Sequence, residues 1–280
     1  MATKNIFSPD SLEAALDLID KYGSDLLVIA GGTMAMHLIN EGLIAPPVAL
    51  TLHRAKLNEV RAVNGHVEIG ATTTLTRVAQ MSDLPLLAEA ARHVGSWAIR
   101  NMATLAGNLF VPPPAGDAAV ALLALDAEVI TAKKGSVRKI PLERFFTGLM
   151  ETALAPGELV TRINVPRPRG QTAFLKFGRR QANTPAVVTV AAQVMRDAAG
   201  ICTEARIALG AAGDHPLRAK QAESALVGRT LDAQTIADAA ASAMQEAQPF
   251  GDAIASEWYR RKMVGVYVRR TLEKIGDGRW

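Results

Sequence analysis

The chain has 280 residues, more than one domain usually contains, so its length favours two domains or one large domain with an appendage. It is 49% hydrophobic and 21% charged, without an apolar run near the roughly 18 residues that span a bilayer and without a charged-then-apolar leader. We therefore expect a cytoplasmic protein with no membrane insertion. A net charge of +4 is too small to indicate a nucleic-acid partner.

Cysteine and histidine usage argues against metal chemistry in this chain. Cys202 is the single cysteine and cannot supply the four ligands of a multi-cysteine metal or iron–sulfur site. The five histidines show neither HxxxH nor HExxH spacing. We predict no metal site, and no residue has the pattern of a general acid, a general base or a nucleophile, so no catalytic residue is predicted.

The elements predicted before residue 100 alternate between helix and strand. Helices are predicted in 8–23, 33–42, 75–80 and 84–95, and strands in 25–32, 48–54 and 66–75. Serine and aspartate cap candidates lie at the start of the first helix, and glycine stops end the first two helices, at Gly23 and Gly42. The first strand runs into a glycine-rich turn and then a helix.

The remainder predicts the end of the first domain, a boundary at 166–170, and then a second, α+β domain. After a glycine–asparagine turn comes a proline-rich loop, a helix and two strands, and then a strand that ends in the cluster 166–170. Long strands are predicted in 173–180, 186–197 and 202–213, followed by helices in 219–226 and 231–247. The basic run 259–270 predicts an amphipathic surface helix, with a protein contact as the alternative.

The stretch "VIAGGTMA" offers exposed backbone between a strand and a helix. Its residues are Val28, Ile29, Ala30, Gly31, Gly32, Thr33, Met34 and Ala35. Unpaired N–H groups at a helix start attract phosphate, and glycine lets a ligand approach the main chain without meeting a Cβ. A tight turn without a ligand is the alternative. The spacing matches neither the dinucleotide GxGxxG motif nor a P-loop.

A second turn of the same kind follows about seventy residues later. It contains Thr104, Leu105, Ala106, Gly107 and Asn108. Two phosphate-sized backbone cradles fit a pyrophosphate better than one does. Asp117, beyond the proline-rich loop, could accept a hydrogen bond from a ribose or ribityl hydroxyl, or could simply cap its helix.

A group of cations ends the strand at 173–180. Lys176, Arg179 and Arg180 lie there, and Lys176 and Phe177 are expected on opposite faces. A cation beside a redox cofactor would stabilise the negative charge of its reduced form. An ordinary charged strand face or a surface set of salt bridges is the alternative.

An ordered set of motifs resembles a known family. "VIAGGTMA", "IRNMATLAGNLFVPPPAGDAAVALLALDAEV" and "KFGRRQANTPAVVTVA", together with "PGELVTRINVP" and "YRRKMVGVYVRRTL", are similar to the FAD-binding medium subunit of the molybdenum hydroxylases. That family includes xanthine dehydrogenase and carbon monoxide dehydrogenase. The similarity covers nearly the whole chain.

The resemblance implies an α+β fold. A two-lobed FAD-binding domain of the PCMH type would occupy 1–170, with lobes at about 1–55 and 56–170. A smaller domain with a three-stranded antiparallel sheet and helices would occupy 171–280.

The resemblance also implies that FAD is held noncovalently, with its pyrophosphate between the two glycine turns. Asp117 matches the family's flavin-contacting aspartate, Leu154 a position near the isoalloxazine, and Lys176 a lysine at the flavin site. Ala106 replaces a glycine that is usual in the second turn, so its backbone must avoid the φ region that only glycine tolerates.

The function implied by the resemblance is electron transfer. Substrate would be hydroxylated at a molybdopterin centre on a large subunit, and electrons would cross two 2Fe-2S clusters on a small subunit. FAD on this chain would pass them to an external acceptor, in an assembly expected to be a dimer of heterotrimers. The alternatives are a nucleotide-binding or interaction module without flavin, and a stand-alone flavin oxidase.

Overall fold

The computed structural model describes residues 5–112 and 116–277. Residues 113–115, in the predicted proline-rich loop, lie outside these ranges, as do 1–4 and 278–280. The described chain forms three main sheets, and each is covered by helices. No described helix combines the length and apolar character needed to cross a membrane.

The first sheet is small and parallel, with the strand order β1-β3-β2. Its strands are β1 (Asn5–Phe7), β2 (Leu26–Ile29) and β3 (Val48–Thr51). Helix α1 (Leu12–Tyr22) begins at the cap Ser11, ends at Gly23 and buries Ala15 and Ile19 beside Leu50. Helix α2 (Ala35–Asn40) follows β2 after the glycine turn. The predicted strand, turn and helix are confirmed.

The second sheet is antiparallel, with the order β4-β5-β10-β6-β7. Its strands are β4 (Val60–Val63), β5 (His66–Gly70), β6 (Glu128–Lys133), β7 (Ser136–Pro141) and β10 (Leu159–Pro166). A short hairpin of β8 (Phe146–Gly148) and β9 (Glu151–Thr152) precedes β10. The helices of this region are α3 (Leu75–Val78), α4 (Pro85–Arg92), α5 (Trp97–Met102), α6 (Leu105–Leu109) and α7 (Asp117–Ala124).

The third sheet is antiparallel, with the order β11-β12-β13-β14. Its strands are β11 (Gln171–Gly178), β12 (Ala186–Arg196), β13 (Cys202–Gly210) and β14 (Leu217–Arg218). The three predicted strands are confirmed, and the expected sheet of three is corrected to four. The fourth strand has two residues, too few to show the period-2 pattern by which strands are predicted.

Helix α7 is buried all round because it lies between the second and third sheets. All of its residues are buried, and it packs on both β12 and β13. The packing is close: a Cβ on Gly210 would meet a methyl carbon of Val120 at 2.6 Å. The opposite face of the third sheet is covered by α8 (Lys220–Leu226), α9 (Ala233–Glu246) and α10 (Glu257–Gly276). Asp117, the first residue of α7, is therefore held against the third sheet.

Helix α10 confirms the predicted amphipathic helix and offers a test of its packing. Gly265 lies in its interior, and an added Cβ would contact Ala240 O at 3.5 Å and Met244 Sδ at 3.6 Å, which are ordinary distances. We expect Gly265→Ala to raise the free energy of unfolding by about 0.5–1 kcal/mol, because alanine loses less backbone entropy in a helix. Urea unfolding followed by circular dichroism measures it. An unchanged or lower midpoint would contradict this packing.

Candidate functional site

The first loop, residues 28–35, presents unpaired backbone donors. Helix α2 begins after Met34, whose side chain makes no capping hydrogen bond. Among the described residues, the backbone N–H groups of Gly31, Gly32, Thr33, Met34 and Ala35 donate to no protein acceptor. Gly32 has a φ of +73°, which glycine tolerates best. These residues are half-buried, or exposed in the case of Thr33, so their free N–H groups are open to an external acceptor and the loop can bind an anion.

The second loop, residues 104–108, uses its backbone donors internally. Leu105 N–H donates to Thr73 O at 2.9 Å, and Ala106 N–H donates to Ala71 O at 3.2 Å. Gly107 N–H donates to the Thr104 hydroxyl at 3.1 Å, which caps α6. The prediction of a second amide cradle is therefore wrong. Thr104 still has its hydroxyl proton to donate to a ligand.

Asn108 and Ala106 complete the second loop. Asn108 is buried, and its Oδ1 accepts from Ala118 N–H at 3.1 Å, which joins α6 to the start of α7. Its Nδ2 group donates to no acceptor within the described chain. Ala106 has helical backbone within α6 and is absent from the described positive-φ residues. The backbone restriction predicted for alanine at this position is confirmed.

The two loops contact each other. A Cβ on Gly31 would come within 2.0 Å of Met102 O, just before the second loop, so only glycine fits there. A Cβ on Gly107 would lie 3.9 Å from Ala30 Cβ. Residues 30–31 therefore pack directly on the chain at 102–107. Gly31 is therefore required for this close approach of the two loops, in addition to any role in ligand binding.

A cavity of about 600 Å³ lies along both loops. Its volume falls within the range of small-molecule and cofactor pockets. All the predicted site residues line it except Leu105, which is fully buried in the core of the second sheet. Further lining residues that sequence reasoning missed include Leu38, Ile44, Val94, Ile99, Phe110, Glu158, Asn183, Thr184 and Pro185. They come from separate parts of the chain, and no local motif connects them.

Asp117 and Lys176 form a buried ion pair in the cavity wall. Lys176 Nζ lies 2.5 Å from Asp117 Oδ2 and also donates to His93 O at 3.1 Å. Thr189 donates to Asp117 Oδ1 at 3.0 Å. Burial raises the pKa of Asp117 above its ordinary value, while Lys176 and Thr189 act in the opposite direction. Asp117 does not cap α7, since Gly116 is the cap residue.

The strand alternation predicted at Lys176 is confirmed. Lys176 faces α7, whereas the Phe177 ring stacks on Tyr267 of α10 at 5.3 Å between ring centroids. The predicted cation group is corrected, because Arg179 and Arg180 lie beyond the end of β11. They donate to Ala253 O and Asn183 O, at 3.3 Å and 3.0 Å. Lys176 is thus the cation of this group that reaches the cavity.

Leu154 is held in the cavity wall by a turn that Glu158 closes. Glu158 Oε2 accepts from Ala155 N–H at 2.8 Å, and Arg138 donates to both Glu158 and Ala153 O. The Glu158 side chain is only 2% exposed, and the hydrogen bond from Arg138 lowers its pKa. Glycine followed by glutamate at 157–158 was the sequence signal for this turn. These contacts hold the turn that places Leu154 in the cavity wall.

Two family profiles match the chain. The profile described as "FAD binding domain in molybdopterin dehydrogenase" matches residues 2–168. The profile described as "CO dehydrogenase flavoprotein C-terminal domain" matches residues 173–275. The chain belongs to the flavoprotein subunits of the molybdenum hydroxylases. FAD is therefore the cofactor of this flavoprotein subunit.

Individual relatives agree with this family. The 6-hydroxypseudooxynicotine dehydrogenase complex subunit alpha of Paenarthrobacter nicotinovorans is 35% identical, covering 95% of this chain and 92% of the relative. The nicotinate dehydrogenase FAD-subunit of Eubacterium barkeri is 34% identical, covering 82% and 81%. A solved Cu,Mo-containing CO dehydrogenase has a TM-score of 0.93 at 28% identity, with 99% of both chains covered.

The cavity of this flavoprotein subunit has the chemistry that FAD needs. The unpaired N–H groups of Gly31–Ala35 can donate to a pyrophosphate, and the Thr104 hydroxyl and Asn108 amide add side-chain donors from the adjacent second loop. Apolar side chains line the remainder of the wall, beside one buried ion pair. Among the described residues, no group of three or more His, Cys, Asp or Glu could hold a metal ion.

Proposed function

We propose that this chain is the FAD-carrying electron-transfer subunit of a heterotrimeric molybdenum hydroxylase. The main support for the proposal is the row of unpaired amides at Gly31–Ala35, which lines a cavity of about 600 Å³. The chain also belongs to a family of FAD-binding subunits. When bound, FAD takes up electrons and passes them on. The residues of this chain bind and orient it, and determine the charge beside it.

Within this proposal we assign as FAD contacts the predicted site residues that line the cavity, which are all of them except Leu105. The first loop would hold the pyrophosphate through its amides, helped by Thr104 and Asn108. Asp117, Leu154 and Lys176, which also line the cavity, would contact the flavin half of the cofactor. Both assignments rest on the resemblance to the family, and they are supported by the presence of the polar donors and the ion pair in the lining of one cavity.

The partners in the proposal are a large molybdopterin-binding subunit and a small 2Fe-2S subunit, in a dimer of heterotrimers with an external electron acceptor. This chain has one cysteine, so the clusters must be held elsewhere. We place the complex in the cytoplasm.

We also divide the chain into domains at residue 170, with two lobes before it, because the second sheet ends at Pro166 and the third begins at Gln171.

We infer that the substrate of the whole complex is an aromatic N-heterocycle. One relative is named a nicotinate dehydrogenase subunit, and another is named a 6-hydroxypseudooxynicotine dehydrogenase subunit. The substrate pocket would lie on the large subunit. Purified complex should therefore reduce a dye acceptor with a pyridine or quinoline substrate and should not do so with carbon monoxide.

Flavin content tests the central proposal. The purified chain should show flavin absorption bands, or regain them after incubation with FAD, and should turn over no substrate alone. Turnover should appear when the chain is co-purified with the molybdenum and iron–sulfur subunits. A colourless chain that takes up no FAD would favour a module without flavin. Turnover by the chain alone would identify a stand-alone oxidase.

A further inference from the structure

The two carboxylate oxygens of Asp117 have different partners on neighbouring strands. Oδ2 contacts Lys176 Nζ at 2.5 Å, and Oδ1 accepts from the Thr189 hydroxyl at 3.0 Å. Lys176 on β11 and Thr189 on β12 are paired residues in the register of the third sheet. Asp117 belongs to α7, between the second and third sheets. Lys176 and Thr189 therefore hold Asp117 from two adjacent strands, and we call this pair the two-strand clamp.

Burial makes both contacts of this clamp important. Asp117 is 4% exposed and Thr189 is 1% exposed. A carboxylate removed from water needs a donor for each oxygen, and an unpaired oxygen there is costly. The other titratable group that acts on Asp117 is His93, at the end of α4. Within the described chain, Thr189 is the side-chain donor to Oδ1.

Asp117 in turn determines what Lys176 presents to the cavity. An ammonium group has three donors, and Lys176 uses one on Asp117 and one on His93 O. Its third donor remains for a ligand, and Lys176 lines the cavity. The charge that a bound cofactor experiences there is that of the ammonium, reduced by the paired carboxylate. Turning Asp117 away would leave that charge less compensated.

We infer that Thr189 is a positioning residue for the flavin: its hydroxyl keeps Asp117 turned toward Lys176 and so regulates the positive charge beside the isoalloxazine. This inference rests on the proposed function, which places FAD in this cavity. Reduced flavin carries more negative charge than oxidised flavin, so a less compensated Lys176 favours reduction. Loss of the hydroxyl should therefore make the flavin easier to reduce.

Thr189→Val removes the hydroxyl with almost no change of shape. In the FAD-loaded full chain, dye-equilibrated redox titration should show the ratio of reduced to oxidised flavin rising about tenfold at a fixed potential, a shift of about +30 mV for a two-electron couple. Asp117→Asn should shift the potential in the same direction by more. Thr189→Ser keeps a hydroxyl and should return the potential to the wild-type value.

Thr161→Val is the matched control. Thr161 lies in a strand, is buried and donates to Ile130 O at 3.1 Å, away from Asp117. Its loss should lower stability without changing the flavin potential. Thr189→Ala provides a second hydroxyl-free variant if valine prevents folding.

A wild-type potential in FAD-loaded Thr189→Val or Thr189→Ala would overturn the inference and leave the proposed function standing. A shift of the same size in Thr189→Ser or Thr161→Val would also overturn it. Failure of the wild-type chain to take up FAD would remove the proposed function and this inference together.

Discussion

Replacing Arg260 with methionine is expected to lower the free energy of unfolding by about 3 kcal/mol. Arg260 is 1% exposed on α10, and it donates to both oxygens of Asp252 at 2.8 Å. It also donates to Ala186 O and Val187 O, both at 3.0 Å. Methionine would fill the space of the stem but would leave Ala186 O and Val187 O without this donor and would remove the ion pair with Asp252, and an unpaired buried acceptor is costly.

The same substitution should weaken FAD binding. Ala186 and Val187 begin β12, directly after the cavity-lining residues Asn183, Thr184 and Pro185. Without Arg260 this loop loses its anchor to α10, so its cavity-facing positions become less well defined. Arg260→Lys should rescue only part of the stability, because a single ammonium cannot replace the two guanidinium nitrogens that bind Asp252 and the two carbonyls.

Arg261→Met is the matched control for Arg260. Its neighbour Arg261 forms an exposed i,i+4 ion pair with Glu257 at 2.9 Å, and such pairs contribute only about 0.3–0.5 kcal/mol. Urea unfolding, followed by circular dichroism, measures both variants. Equal midpoints for Arg260→Met and Arg261→Met would show that the buried contacts of Arg260 do not stabilise the fold.

Gly31→Ala is expected to weaken FAD binding by about tenfold to a hundredfold, the equivalent of about 1.4–2.8 kcal/mol. The added Cβ would lie 2.0 Å from Met102 O and 2.8 Å from Met102 C, so backbone must move. That movement separates the first loop from the chain that enters the second loop. The unpaired amides of the first loop and the Thr104 hydroxyl would then no longer keep the relative positions that they have in the cavity. Flavin fluorescence titration measures the dissociation constant.

Gly42→Ala separates this effect from general destabilisation. Gly42 lies just after α2, the helix that follows the first loop. It has a φ of +71°, and an added Cβ would meet no atom within 4 Å. Alanine there carries the backbone strain of a left-handed conformation, about 1–2 kcal/mol, with no clash at the cavity. It should keep wild-type FAD affinity. If Gly42→Ala lost as much affinity as Gly31→Ala, contact between the loops would not explain the result.

Local sequence was sufficient for most of the fold. Capping residues and glycine stops predicted α1, because a helix end satisfies its backbone donors and acceptors with nearby residues. Alternating or continuous apolar runs predicted the three long strands of the third sheet for the same local reason. Strand β14, with two residues, was missed because it is too short to show the alternation that identifies a strand, and the six-residue helix α5 was missed as well.

Trp258 and Trp97 show a limit of composition-based reasoning. A large aromatic side chain favours burial, yet these two are 67% and 71% exposed. Whether a side chain of this size is covered depends on what packs across from its helix. Sequence periodicity identifies a face but not its neighbour.

The sequence by itself determined the family, the glycine loops and the flavin cofactor, because each depends on residue types in an ordered, local pattern. Only the tertiary structure decided which polar groups remain for a ligand. The second loop looked like a backbone cradle until Thr73 O and Ala71 O, about thirty residues earlier, proved to accept its amides. Asp117 likewise proved to be a clamped ion-pair partner, since Lys176 and Thr189 reach it only through sheet pairing. Hydrogen-bond partners far apart in the chain leave no local signal, so folding alone brings them together.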